Sequence, residues 1–347
     1  MTRERLPELG KATPEFFDRV IFPRLGRKDP DIIVGPRHGV DFGVLDLGDR
    51  VLVTSSDPFY IASELGMERA AWFAVHILAS DVAVSGIMPG YMAVDLNLPP
   101  EMSESDLELM WDSVHRTCRE LDIAVITGHT ARYAGCNYPM VGGATVFGLG
   151  PKEDLVIPQA APGDMVVVTK GPAVEATGLM AAYFPDRIEE AWGPEVAGMA
   201  RDMFYNMSVV KDARVAASVG GVSAMHDATE CGILGGLWEM AAHSGVGIDL
   251  DLAAVVFPEV IEKTCECFGL DPFSSISEGT LLATVRPEAA DDVVAALGAA
   301  GIEASIAGRI TDKSEGMRYR DGAGVHELRH PRTDPFWAVF QENLSKR

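Results

Sequence analysis

The chain has 347 residues, of which 47% are hydrophobic and 23% are charged. This composition excludes a disordered chain and provides about two domains' worth of residues with sizeable cores. The 29 basic and 51 acidic residues leave a formal charge of −22. Such a charge repels phosphate backbones, which argues against nucleic-acid binding, and most of the acidic surplus is interpreted as a solubility feature.

Neither the N-terminus nor any apolar run predicts contact with a membrane. The opening sequence MTRERLPELGKATPEFF lacks the apolar core of a signal peptide. The longest apolar run, 70–84, is interrupted by His76 and Asp81 and is too short to span a bilayer. We therefore expect a cytoplasmic protein. Its five cysteines follow no disulfide or zinc pattern, and we expect all of them to be reduced thiols.

The first half of the chain predicts strands with two intervening helices. Short apolar runs predict strands at DIIV, GVLDL and RVLVTS, and GPRHG between them is typical of a loop. The segment MERAAWFAVHILASDVAVSG is apolar on most sides and predicts a buried helix that ends at a glycine. A strand follows at YMAVDLNLP.

The most regular amphipathic pattern lies in SESDLELMWDSVHRTCREL. Its apolar residues recur at helical spacing, and Ser103 with Asp106 forms a capping-box pattern at the start. This helix is followed by a predicted strand IAVIT, a loop GHTARYAGCNYP and a strand MVGGATVFGLG.

A change of composition predicts a boundary between two domains, 1–155 and 156–347. Proline and charge replace periodicity in PKEDLVIPQAAPGD. Beyond it, predicted strands at MVVVTK, LLATV and ASIAGRI alternate with helices at GPAVEATGLMAAYF, MSVVKDARVAASVG and EAADDVVAALGAAG. Alternation of this kind predicts an α/β (α+β) fold.

Acidic residues stand at predicted strand ends and loops, where α/β folds collect ligands. They are Asp41, Asp57 and Asp81, and a GHT turn at 128–130 joins them. Hard cations such as Mg²⁺ need oxygen ligands, and they bridge the oxygens of a bound triphosphate. Carboxylates converging from separate segments would serve that purpose. Taken singly, each could instead be a cap, a turn former or an ion-pair partner.

The order of these motifs resembles that of the AIR synthase (PurM-like) superfamily. The first half carries GVDFGVLDLGD, VTSSDPF, HILASDVAVSGIMPGYM and VITGHT. The second half carries GDMVVVTKGPAVEATGLMA, MHDATECGILGGLWEMAAHSGVGIDL and SEGTLLATV. The resemblance implies a two-domain PurM-like fold, with a barrel-like dimer interface made by N-terminal strands and ATP bound in the groove between domains.

The resemblance also implies roles for individual residues. Magnesium would be bound by Asp41, Asp57 and Asp81. Positions implied to contact the nucleotide or its phosphates are Gly39, Asp41, Gly128, His129, Thr130, Lys170 and Glu175. Asp227, with His226 or Glu230, would face the acceptor.

Two positions depart from the family pattern. His129 stands where most relatives carry a carboxylate, and it could bind a metal, contact a phosphate or have no ligand. Cys231 replaces an expected glycine, and a packed thiol is favoured there over a nucleophile. Similarly, His76 in its apolar helix is interpreted as a hydrogen-bonded core histidine.

The function implied is phosphorylation of an amide-like or other oxygen of a small substrate by Mg-ATP, in a homodimer. Within the superfamily the chain resembles HypE-like, AIR synthase-related proteins without the C-terminal cysteine, since it ends FQENLSKR. Selenophosphate synthesis is disfavoured because the first cysteine is Cys118. Two alternatives stay open: a kinase of the thiamine-monophosphate type, and a catalytically degenerate nucleotide-binding accessory protein.

Overall fold

The computed structural model describes residues 14–346. The N-terminal segment 1–13, part of the sequence predicted to lack a signal peptide, lies outside the described residues. Among residues 14–346, no helix combines the length and the apolar character needed to cross a bilayer.

The first half folds into one mixed sheet with helices on one side. The strands are β1 (Ile32–Val34), β2 (Gly43–Asp46), β3 (Arg50–Tyr60), β4 (Pro89–Leu98), β5 (Ala124–Arg132) and β6 (Met140–Pro151). The helices are α1 (Pro14–Phe16), α2 (Met67–Ala83) and α3 (Glu104–Glu120). The strand order is β1-β2-β3-β6-β4-β5, with only the β4–β5 pair parallel.

Helix α2 packs its apolar side chains against β3 and β6, and α3 packs against α2. The predicted capping box at the start of α3 is confirmed. The Ser103 hydroxyl accepts the Asp106 N–H at 3.1 Å, and the Asp106 carboxylate accepts the Ser103 N–H at 3.3 Å. These two bonds satisfy backbone donors that a helix start leaves unpaired.

Two local predictions in this domain are wrong. Gly128, His129 and Thr130 do not form a turn but lie inside β5, and Asp57 lies inside β3 rather than after a strand. The reason is sheet pairing. Strand β5 runs parallel to β4 with His129 opposite Asp95, and β3 pairs with β6 through Asp57 and beyond, so both backbones stay extended.

The second half forms another mixed sheet of order β13-β12-β9-β11-β7-β10-β8. Its strands are β7 (Met165–Thr169), β8 (Val222–Asp227), β9 (Gly247–Asp251), β10 (Leu281–Val285), β11 (Ala304–Thr311), β12 (Met317–Asp321) and β13 (Gly324–Glu327). Its helices are α4 (Val174–Tyr183), α5 (Pro185–Asp202), α6 (Val210–Val219), α7 (Gly232–Ser244), α8 (Glu259–Phe268), α9 (Pro287–Ala299) and α10 (Pro335–Ser345). The two sheets therefore separate between residues 151 and 165, while a boundary at residue 155 stays a prediction.

Helix α2 joins the two halves, because it contacts α6 and the edge strand β8 of the second sheet. His76 Nδ1 lies 2.7 Å from the Ser208 hydroxyl, and the Ser80 hydroxyl accepts the Val209 N–H at 3.1 Å. Burial, with the Lys170 charge nearby, lowers the pKa of His76 to about 3. The prediction of a hydrogen-bonded core histidine is thus confirmed, and its neutral ring fastens one domain to the other.

Candidate functional site

The site is built where the loop before β2 meets the end of β8. Asp41 comes from that loop, and His226 and Asp227 are the last residues of β8. The Asp41 Oδ2 atom lies 2.6 Å from His226 Nδ1, and Asp227 Oδ1 lies 3.8 Å from the same nitrogen. One ligand atom from each of the three residues lies within 4.8 Å of the others, a grouping able to surround a metal ion.

Gly39 allows the Asp41 loop to reach this position. Its φ of +71° is unfavourable for a residue with a Cβ, and a Cβ there would lie 2.9 Å from the Glu239 carbonyl oxygen of α7. Gly39 therefore brings the loop against α7, which is a packing role. A contact between Gly39 and a nucleotide stays a prediction.

Two more aspartates reach the site from the first domain. Asp81, in the last turn of α2, is buried and accepts a hydrogen bond from the Ser55 hydroxyl at 2.7 Å. Burial and the charges of Asp227, Asp57 and Asp41 raise the pKa of Asp81 well above its usual value. The structure thus brings together the four aspartates that the sequence singled out, from both domains.

Buried glutamates extend this acidic cluster into the second domain. Glu175, in the first turn of α4, accepts the Glu278 N–H at 3.1 Å. Burial, with Asp334, Glu230 and Asp227 nearby, raises the pKa of Glu175 to about 8. Burial and the charges of Asp227 and Glu175 also raise the pKa of Glu278 well above its usual value. The Glu175 side chain therefore carries a proton near neutral pH, which makes it a potential proton donor.

Glu278 was missed as a candidate by sequence reasoning. It lies in the SEGTLLATV motif, which was used only to recognise the family resemblance. The signal was a glutamate and a glycine shortly before a mostly apolar strand. Nothing in the sequence alone indicates that this glutamate turns toward Asp227.

His226 lies between two carboxylates. Its Nδ1 faces Asp41, and its Nε2 is 3.3 Å from Glu239 Oε2 on α7. Burial alone would lower the pKa of His226, but Asp41 and Glu239 outweigh it and raise that pKa well above the usual value. The contact with Asp41 Oδ2 orients that carboxylate.

A cavity of about 570 Å³ opens beside Asp57 on the exposed face of the first sheet. Asp95, Gly128 and His129 also line it, whereas Thr130 is not among its lining residues. The His129 Nε2 atom lies 3.0 Å from the Tyr133 hydroxyl. A Cβ at Gly128 would lie 2.6 Å from the Val94 carbonyl oxygen, so strand pairing already requires this glycine.

Lys170 forms a separate, nearly buried ion pair. Its ammonium lies 2.9 Å from the Asp212 carboxylate and donates to the Ser208 carbonyl at 2.7 Å. These partners lie between β7 and α6. The structure therefore gives Lys170 a stabilising role there, and its predicted contact with a phosphate stays a prediction.

The turn after β8 contains Glu230 and Cys231. Glu230 is half-buried, and its charge contributes to the raised pKa values of Glu175 and Asp334. Cys231 is buried with a φ of +65°, and its N–H donates to Asp334 Oδ2 at 2.6 Å. Burial agrees with the packed thiol that the sequence favoured.

All five cysteines are free thiols, as predicted.

Comparison with known proteins agrees with this architecture. The family model of the AIR synthase related protein N-terminal domain matches residues 39–150, and that of the C-terminal domain matches residues 161–320. The chain is 30% identical over 274 residues to carbamoyl dehydratase HypE of Rhizobium leguminosarum bv. viciae, covering 76% of this chain and 74% of that protein.

Solved structures share the fold. The crystal structure of Escherichia coli HypE, a hydrogenase maturation protein, superposes with a TM-score of 0.71 at 24% identity, covering 90% of this chain and 95% of that one. A HypE structure in complex with ATP superposes with a TM-score of 0.66 at 20% identity, covering 94% and 97%. The two-domain PurM-like fold expected from the motifs is confirmed.

Proposed function

This chain belongs to the AIR synthase-related protein family, and on that premise we propose that it is a Mg-ATP-dependent enzyme that phosphorylates an oxygen of a small substrate. The oxygen is amide-like, the chemistry named in its carbamoyl dehydratase relative. ATP binding is supported by the fold shared with a protein solved in complex with ATP. The protein would act where ATP is made and used, in the cytoplasm.

The convergence of Asp41, Asp57, Asp81 and Asp227 carries the proposal. These carboxylates are the hard oxygen donors that Mg²⁺ prefers. Burial and the neighbouring charges of Asp227, Asp57 and Asp41 raise the pKa of Asp81, which supports a site where a cation would offset the crowded carboxylates. A divalent cation fits this donor set, with Asp41, Asp57 and Asp227 holding it and Asp81 joining on loss of its proton.

Bound Mg²⁺ and ATP would supply charge neutralisation and the transferable phosphoryl group. The protein's own residues position the reactants and handle protons. His226 holds Asp41 by a 2.6 Å hydrogen bond. Glu278, whose pKa is raised by burial and by the charge of Asp227, would donate a proton to a leaving oxygen, and Glu175 holds the Glu278 backbone by accepting its N–H. His129 and Asp57 line the cavity proposed for the nucleotide.

A homodimer is the second part of the proposal. Every residue of the edge strand β5 except Ala131 is exposed, including the apolar Val125 and Ile126. Tyr91 on the neighbouring β4 is exposed as well. An open apolar edge invites pairing with another chain, and a second copy offers a matching edge. The proposed nucleotide cavity lies on this same sheet, so the dimer would border it.

Calorimetric titration with ATP, with and without Mg²⁺, tests the function directly, together with phosphate release in the presence of carboxamides. We expect binding that requires Mg²⁺ and is lost in Asp57→Asn and Asp81→Asn. The matched control is Asp292→Asn, an exposed aspartate of α9. Binding at wild-type affinity in both site variants would contradict the metal site. Absence of nucleotide binding by the wild type would favour the degenerate accessory protein.

The fate of the phosphate separates the proposed reaction from a kinase. A carboxamide activated at its oxygen releases inorganic phosphate, whereas a kinase of the thiamine-monophosphate type leaves the phosphate on its product. Phosphorus NMR of the reaction mixture distinguishes these outcomes. A stable phosphorylated product would overturn the proposed release of phosphate while leaving the Mg-ATP site intact.

A further inference from the structure

We propose that Glu239 and His330 are positioning residues for the metal-binding carboxylate Asp41, and that they act through His226. The proposal rests on the proposed Mg-ATP function and adds two residues that neither the motifs nor the fold comparison assigns. They form a line of hydrogen bonds that starts in the segment between β13 and α10 and ends at the site.

The series of hydrogen bonds begins at His330, whose tautomer is determined by a backbone N–H. The Arg332 N–H donates to His330 Nδ1 at 3.0 Å. A neutral imidazole that accepts at Nδ1 carries its proton on Nε2. His330 Nε2 lies 3.2 Å from Glu239 Oε1, so His330 donates to that oxygen. The edge of Trp238 packs on the ring at 5.3 Å between centroids and limits its rotation.

The Glu239 carboxylate links the His330 ring to the His226 ring. Its Oε1 accepts from His330, and its Oε2 lies 3.3 Å from His226 Nε2. With Glu239 accepting at both oxygens, the His226 ring is held by Nε2 and points Nδ1 at Asp41 Oδ2, 2.6 Å away. This bond determines which oxygen of Asp41 faces the histidine and therefore how the carboxylate is turned toward a cation.

The backbone of Glu239 supports the same site. The Asp41 loop approaches α7 so closely that a Cβ on Gly39 would lie 2.9 Å from the Glu239 carbonyl oxygen. The Asp41 loop thus packs closely against the main chain of Glu239, whose side chain contacts His226. Further along the chain from His330, Asp334 caps α10 and accepts the N–H groups of Phe336 and Cys231.

The test is the Mg²⁺ concentration that gives half-maximal ATP binding by calorimetry, measured on the full chain. His330→Leu removes the donor to Glu239, and Glu239→Gln removes the charge between the two rings. Loss of an outer-shell partner typically weakens metal affinity by about 10-fold to 100-fold, so we expect this concentration to rise about tenfold. His330→Gln retains an amide donor and should recover most of the wild-type value.

The matched control is His326→Leu. His326 Nε2 lies 3.0 Å from Asp321, but that pair is exposed on the β12–β13 hairpin. It should leave the Mg²⁺ requirement unchanged. A merely structural role for His330 would lower the Tm without changing the Mg²⁺ requirement, and that result would overturn the proposal.

A metal-free readout separates this inference from the proposed function. In crystals of metal-free Glu239→Gln and His330→Leu, we expect His226 Nδ1 to move out of hydrogen-bonding distance of Asp41 Oδ2. An unchanged separation of 2.6 Å in both variants would overturn the positioning role, whatever the protein binds. Failure of the wild type to bind ATP with Mg²⁺ would instead overturn the function.

Discussion

The two sheets end in edge strands that differ in one respect, namely what covers them. Strand β8 closes the second sheet, and its last four residues are buried beside α2 of the first domain. Strand β5 closes the end of the first sheet that carries the cavity, and it is exposed along almost its whole length. Unpaired strand edges attract other strands, so proteins cover or protect them.

The comparison explains why the candidate site is where it is. Covering β8 with the other domain brings Asp227 next to Asp81, and these charges would be far apart if the domains did not pack on each other. Among the described residues no strand pairs with the outer edge of β5, yet β5 supplies His129 to the cavity beside Asp57. The β8 edge forms its site within one chain. The β5 edge is expected to complete the cavity beside Asp57 with a second copy of the chain.

The largest expected effect comes from Asp227→Asn at the covered edge. Removing one of the clustered carboxylates should weaken Mg²⁺-dependent ATP binding about 100-fold, equivalent to about 2.7 kcal/mol. The metal-free fold should keep or raise its Tm, because a buried like charge is removed. Calorimetry and circular dichroism measure the two quantities. Asp291→Asn on exposed α9 is the control, and unchanged binding in Asp227→Asn would refute the role of the covered edge.

At the open edge, Ile126→Lys should separate the dimer into monomers. The Ile126 side chain is 58% exposed on β5, and a lysine on an edge opposes strand pairing. We expect the dimer dissociation constant to rise about 100-fold, which analytical ultracentrifugation can measure. Val325→Lys, at a residue 65% exposed on β13, should remain dimeric. A monomeric wild type would show that β5 needs no partner.

The buried acids near the covered edge should make stability depend on pH. The pKa of Glu175 is raised from 4.5 to about 8 in the folded protein, so the folded state keeps a proton that the unfolded state releases. The contribution of Glu175 to the free energy of unfolding is fully present below its unfolded-state pKa of 4.5, and it is lost as the pH rises toward its folded-state pKa of about 8. We expect the metal-free Tm to fall between about pH 5 and pH 8, by an amount corresponding to roughly 4 kcal/mol for Glu175.

Glu175→Gln should make that fall shallower, because an amide still accepts the Glu278 N–H but does not titrate. Thermal melts at several pH values check the slope. The exposed carboxylate Glu153 supplies the control, since Glu153→Gln changes a surface charge and should leave the slope unchanged. A Glu175→Gln slope equal to that of wild type would contradict the raised pKa.

The sequence indicated which aspartates lie near one another better than it predicted the local structure around them. Asp41, Asp57, Asp81 and Asp227 were found because they recur in ordered motifs, and the structure places them together. Asp57 was predicted to follow a strand and His129 to lie in a turn, because strand continuity depends on pairing with β6 and β4, which local composition does not encode.

Other elements escaped sequence reasoning for identifiable reasons. Helix α5 is interrupted at Gly193, where φ is +84°, and Pro194 follows it, so its apolar period is broken. Helix α10 is short and aromatic-rich, and Asp334 caps it. Glu239 and His330 are 91 positions apart and share no motif. Only the packing of α7 on the C-terminal segment brings them together.

The smallest change in stability is expected for Ser103→Ala. This variant tests whether ATP binding and dimerisation depend on the helix that packs behind β5. Ser103 caps α3, a helix that contacts β5. Losing this cap should reduce the free energy of unfolding by about 1 kcal/mol in urea denaturation. Ser218→Ala, at the exposed end of α6, should have a smaller effect. Because the Ser103 hydroxyl bonds only within the helix start, ATP binding and dimerisation should be unchanged. A change in either would mean that the open edge depends on the helix behind it.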